Sequence, residues 1–207
     1  GEFVMIAAIV VAGMATNYGF PIIAAIAVGL VFMIIFNIVL ERVVLRPMIG
    51  RPIVAIIMAT IGLALILQGA GPLVFGAGTK PLNIGVPDEP LIWGPLFMTP
   101  IDVVGAGISI MFLAIFGWFF MKSRKGVAMR AVADSHMTSM AMGINVERYF
   151  ALAWILAGVV ALLGGLVWGS AIGVDTQMAA LGLKVFPVVI LGGLDSIIGV
   201  VVGGLII

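Results

Sequence analysis

Along this chain, long apolar runs alternate with short polar breaks, and the runs are too continuous to be one face of a half-buried helix or strand. Pro21 to Leu40, Ile53 to Phe75, Ile101 to Met121 and Tyr149 to Gly169 each reach the roughly 20 residues with which a helix crosses about 30 Å of hydrocarbon. Their central parts, residues 22–40, 53–67, 103–121 and 150–169, hold no Asp, Glu, Lys or Arg, so each can face lipid on any side. The pattern predicts four membrane-spanning helices. The end runs, Phe3 to Thr16 and Ile197 to Ile207, are shorter, the second reaching only about 16 Å at helical rise. They read as half-helices or as parts of elements that continue elsewhere. With no initial Met and a last run that stops in mid-pattern at GVVVGGLII, residues 1–207 read as a single transmembrane domain truncated at both ends.

The polar breaks carry orientation. Arg42, Arg46 and Arg51 lie in ERVVLRPMIGRP, and Lys122, Arg124, Lys125, Arg130 and Arg148 lie in the insert from Lys122 to Arg148. Two spans separate these basic segments, so both belong on one side, and the excess of Lys and Arg marks that side as cytoplasmic. The connection from Gly76 to Pro100, the NYGFP turn and the stretch from Ser170 to Lys184 then face outward.

Within the insert, residues 122–148, VAMRAVADSHMTSMAM lacks Gly and Pro and is rich in Ala and Met, predicting a helix from Val127 to Met142 closed by Gly143. Met129, Val132, Ala133, His136 and Met140 would share one face, beside an Arg130–Asp134 pair. Methionine suits a contact surface because its side chain repacks readily. Asn145 is a candidate N-cap for the next span, and Glu147 falls in its first turn, opposing the helix dipole. Two readings fit: a helix that passes a push from a soluble partner into the membrane, or an amphipathic helix resting on headgroups.

From Val185 to Leu194 the apolar run is too short to cross, contains Pro187 and ends at Gly192 and Gly193. A broken or re-entrant helix on a translocation path fits this, as does an interfacial helix before the next span. Gly165 with Gly169, and Gly199 with Gly203, have the small-xxx-small spacing of closely packed membrane helices.

Composition changes the picture in one respect. At 63% hydrophobic and 9% charged residues, with mean hydropathy +1.34, the chain has far less charge than the roughly 25% of a soluble domain, which makes it a polytopic membrane protein of all-α class. A net charge of +1 gives no footprint for nucleic acid. Without Cys and with His136 as the single histidine, no metal site, cofactor or catalytic residue is assigned.

GVAMRAVADSHMTSMAMGINVERYFALAWILAG, residues 126–158, resembles the cytoplasmic coupling segment of branched-chain amino acid ABC transporter permeases. GEFVMIAA at the start, VLRPMIGRP at 44–52 and GLKVFPVVILGGLDSIIGVVVGGL at 182–205 resemble further segments of that family, so the resemblance covers nearly the whole chain. Asp195 stands where the family usually has Gly and Ile198 where it has Pro, and Asp134 to Met140 diverges from the usual coupling core. The resemblance implies a transmembrane helical bundle with a cytoplasmic coupling helix, in a bacterial or archaeal plasma membrane. It implies as partners a second permease subunit, two cytoplasmic ATPase subunits, an external substrate-binding protein and membrane lipid. ATP chemistry then belongs to a partner, and the sequence holds no GxxxxGK[ST] phosphate loop. Gly126, Arg130, Ala133, Asp134, Ala141, Gly143 and Ile144 match the coupling motif and take contact and hinge roles. The substrates implied are branched-chain or related amino acids, with urea or short amides as an alternative.

A rival of another class is an ion-coupled carrier, which would hold ionisable groups within its spans. Asp102 and Asp195 lie at span edges, where capping suits them. Asn37, Thr60 and Gln68 read as glue between helices. An intramembrane enzyme is disfavoured because His136 has no nucleophile or carboxylate partner in a span.

Overall fold

The computed structural model describes residues 1–48, 51–76, 78–86, 91–93, 96–193 and 196–207; Leu194 and Asp195 lie outside this set. The four expected spans are present as α2 (Ile22–Leu40), α3 (Ile53–Phe75), α4 (Pro100–Lys122) and α7 (Val146–Ile172). Each lies within three residues of the expected ends, and α3 coincides with them. They are joined by α1 (Glu2–Asn17), α5 (Arg124–Asp134), α6 (His136–Ala141), α8 (Leu181–Gly192) and α9 (Ile197–Ile206). The fold is a helical bundle, and the described part of the connection after α3 adds one short antiparallel ribbon of β1 (Leu91–Trp93) and β2 (Leu96–Met98).

α1 is the centre of the bundle. Every residue from Met5 to Gly13 is buried, as a helix that is apolar all round requires. Glycines let its neighbours approach. A Cβ built at Gly165 of α7 would lie 2.8 Å from the Val4 carbonyl oxygen, and one at Gly29 of α2 would lie 2.5 Å from a Val11 methyl. Gly165 and Gly169 thus serve the close packing their spacing predicts.

The first basic linker is not a loop throughout. α2 continues through a π-helical turn, Glu41–Leu45, and a 3-10 turn, Arg46–Met48. The Arg46 amide bonds back to the Glu41 carbonyl, five residues earlier, and the wider turn tucks Glu41 inside at 1% exposure. Arg46 then reaches Glu147 at the start of α7, so the two basic segments share one end of the bundle. At the other end Lys80 bonds Asn17, and paired backbone bonds of 2.9 and 2.8 Å join Lys80 to Val174. The parity of loops read from the span count is what these contacts require.

The segment after α7 differs from a short run beginning at Val185. A 3-10 turn, Thr176–Ala180, leads into α8, which starts at Leu181 and contains Pro187. The chain turns at Gly193, with φ +88°, and Ser196 caps α9 through its hydroxyl, 3.0 Å from the Gly199 amide. α8 and α9 form a hairpin whose backbones touch. A Cβ at Gly192 would meet the Gly199 carbonyl carbon at 2.4 Å, and one at Gly203 the Val188 oxygen at 2.7 Å.

Candidate functional site

The insert is two helices, not one. Ser123 opens α5 by accepting the Gly126 amide at 2.9 Å. Ser135 is extended, with φ −157° and ψ 110°, and ends α5 while capping α6 by accepting the Thr138 amide at 3.2 Å. Ser and Asp are weak helix formers because their side chains offer the backbone such alternatives, which is why the continuous helix over 127–142 breaks here. The break turns the expected face. Val132 and Ser139 are buried, whereas Met137, Met140 and Met142 are 78%, 55% and 77% exposed.

Gly126 is buried where α4 reverses into α5, and a Cβ there would lie 2.5 Å from the Phe119 carbonyl oxygen. Arg130 does not pair with Asp134. It turns back to the end of α4, donating to the Met121 carbonyl at 3.4 Å with its guanidinium 6.0 Å from the Phe120 ring, where a cation opposes the helix dipole. Phe120 ends a stack with Phe116 and Phe112, each ring 5.5 Å from the next. Ala133, Asp134, Ala141 and Gly143 are exposed and Ile144 is half-buried, so these positions, like the three methionines, are accessible.

Gly143 ends α6 with φ +79°. Its amide donates to the Met140 carbonyl at 3.0 Å and the Ile144 amide to the Ser139 carbonyl at 2.9 Å, the paired bonds of a Schellman turn. Asn145 follows at once, its side chain accepting the Arg148 amide at 3.1 Å. Glu147 in the first turn of α7 accepts from Arg46 at 2.8 Å, and Arg46 also donates to both oxygens of Glu41 at 3.2 and 3.3 Å. The insert therefore enters α7 through two hydrogen-bonded turns, and Arg46, just after α2, bonds to that entry.

A second group joins α3 to the start of α1, where the exposed Gln68 donates to Glu2 at 3.0 Å. The other Glu2 oxygen lies 3.4 Å from the Gly1 nitrogen. Gln68 is seven residues before the end of α3, about 10 Å below it, so this carboxylate sits at membrane depth. A cavity of about 780 Å³ is lined by these two residues and by Thr176, Gln177, Gly182 and Leu183 among others. Pro187 cannot donate to the carbonyl four residues back, so it takes from Leu183 its intrahelical donor. Gly192 and Gly193 shape the α8–α9 turn and do not line the cavity. Sequence reasoning missed Glu2, Thr176 and Gln177. A carboxylate at the head of a short apolar run looks like an edge group, and only the packing of α1 shows its depth. Asn37 and Thr60 bond carbonyls of their own helices, and Asp102 accepts from Thr99 in the first turn of α4.

A family model described as branched-chain amino acid transport system / permease component matches residues 1–207. The chain belongs to this family. As a permease it is an integral membrane transport protein, not an enzyme. It is 30% identical to the high-affinity branched-chain amino acid transport system permease protein LivH of Escherichia coli, across all of this chain and 68% of that one. It is 28% identical to BraD of Pseudomonas aeruginosa, a protein of the same description, across all of this chain and 70% of the relative. The autoinducer 2 import system permease protein LsrC of Photorhabdus laumondii is 27% identical over 58% of this permease and 38% of its own length. No solved structure matches the chain at a significant level.

Proposed function

We propose that this permease is the membrane-spanning subunit of an ATP-driven importer for branched-chain or related amino acids. In this reading residues 122–148 face the cytoplasm of a bacterial or archaeal cell, and a partner ATPase docks on the surface around Ala133, Asp134, Met137, Ala141 and Gly143. A second permease subunit, a second ATPase and an external binding protein complete the assembly. The observation that carries the reading is the join at Gly143–Asn145. Two capped turns link exposed methionines directly to a spanning helix, a join that a helix merely resting on headgroups would not need.

An ion-coupled carrier is supported by one observation, the Glu2 carboxylate at the depth of Gln68. The deciding experiment reconstitutes the full-length permease with the ATPases, second permease and binding protein encoded beside it. Leucine uptake is expected to require hydrolysable ATP and to proceed with no ion gradient. Uptake that followed an imposed proton or sodium gradient without ATP would establish the carrier instead.

A further inference from the structure

The chain from α2 to Arg46 meets α7 at two separate places. In the interior, a Cβ built at Gly158 of α7 would lie 2.3 Å from the side-chain nitrogen of Asn37. Asn37 is fully buried and donates to the Met33 carbonyl of its own helix at 2.7 Å, so the helices cross there with no room for a further side chain. At the end that carries the insert, Arg46 donates to Glu147 at 2.8 Å. Glu147 lies about 16 Å along α7 from Gly158 at helical rise. One crossing alone leaves the angle between two rods free, and a second contact at that distance fixes it.

The bonds that Arg46 makes are not equivalent. It donates to both oxygens of Glu41, at 3.2 and 3.3 Å, and Glu41 is 1% exposed. A buried carboxylate stripped of its cation is strongly penalised, so Arg46 stays with Glu41. Glu147 is 58% exposed, and water replaces its partner at little cost. The bond to Glu147 is therefore the one that opens. The Gly143 turn and the Asn145 cap come just before Glu147, so the arginine that holds Glu147 also sets where the insert stands.

We propose that Arg46 is a positioning residue for coupling: anchored on Glu41, it fixes the angle of α7 and with it the place of the insert, and its bond to Glu147 opens when α7 rocks about Gly158 during transport. The inference rests on the reading of residues 122–148 as the coupling segment and adds the contact through which the end of α2 controls it. Both partners of the bond are on this chain, so its effect is present before any ATPase docks.

The test uses the full-length permease, alone and in its assembled transporter. Spin labels on Val43→Cys and Met142→Cys, at positions 67% and 77% exposed, report the distance from the end of α2 to the insert. One narrow distribution is expected with the pair intact, and Glu147→Gln is expected to broaden it or add a second population. In the assembled transporter Glu147→Gln is expected to lower the ratio of substrate-stimulated to basal ATP hydrolysis by about two- to five-fold, the worth of an exposed ion pair, with the ATPase still co-purifying. Arg46→Gln is expected to lower it at least as far. Adding Glu147→Gln to Arg46→Gln is expected to change neither readout further, because the bond is already gone. An unchanged distribution or ratio in Glu147→Gln overturns the proposal. So does a further two- to five-fold fall on the Arg46→Gln background, which would mean that Glu147 acts through the helix dipole or the ATPase. Should Arg46→Gln fail to insert, Glu41→Gln with Arg46→Gln takes its place, since no buried charge is then stranded. Uptake by the unmutated transporter without ATP would refute the importer reading, while the label distances still decide whether Arg46 places the insert.

Discussion

Replacing Gly143 with valine isolates one physical variable. Nothing lies within 4 Å of a Cβ built at this position, so the side chain meets no neighbour, and the whole cost is the backbone's φ of +79°. For a β-branched residue that cost is about 1–3 kcal/mol, or roughly five- to 150-fold in the population of the turn. α6 has only six residues and cannot absorb such a loss, because a helix this short depends on its caps and contacts. The Gly143–Met140 and Ile144–Ser139 bonds open, and α6 loses its aim relative to α7. The spans are unaltered, so insertion proceeds. Co-purification of the ATPase with the inserted permease and substrate-stimulated ATP hydrolysis are both expected to fall. Gly143→Asn, which tolerates the left-handed region, is expected to recover most of both. Normal values for Gly143→Val, or an equal loss in Gly143→Asn, would refute the argument that the turn transmits force.

Three further expectations are independent of the first. Gly165→Val drives a side chain onto the Val4 backbone, whereas Gly164→Val enters open space; melting in detergent should drop for the first, by about 1–3 kcal/mol of overpacking, and hardly move for the second. Arg46→Met strands the buried Glu41 carboxylate, while Glu147→Gln removes a partner that is 58% exposed, so thermal unfolding should show the larger loss for Arg46→Met and a salt-sensitive, small one for Glu147→Gln. For orientation, cysteines at Met137 and Tyr18, which are 78% and 69% exposed, should be shielded from and open to an impermeant thiol reagent in intact cells, respectively; reversed labelling would invert the topology.

Much of this architecture was legible because membrane helices leave blunt signals. Uncharged runs of spanning length gave α2, α3, α4 and α7, and local capping rules gave Asn145, Glu147 and the left-handed Gly143. Small-residue spacing pointed to Gly165 and Gly203 as contacts, though not to their partners. What escaped depends on longer range. The summed propensity of Ala and Met favoured a continuous helix over 127–142, and one hydroxyl at Ser135 outweighed it. The π-helical turn at Glu41–Leu45 accompanies an Arg46 contact across to α7, which no local pattern encodes. The central place of α1 escaped as well, because an apolar run does not say whether protein or lipid will surround it.

α4 holds a consequence in mechanics. Gly105 is its one buried residue among those described, set where a Cβ would lie 2.6 Å from a Val167 methyl of α7. From that crossing to Lys122 the helix runs about 25 Å, stiffened by its stacked phenylalanines and ending under Arg130 of α5. A rod held close to one end is a lever with unequal arms. A few degrees of rock about Gly105 become ångströms of travel at the far tip, and travel imposed at the tip returns to the crossing as small, forceful rotation beside α7.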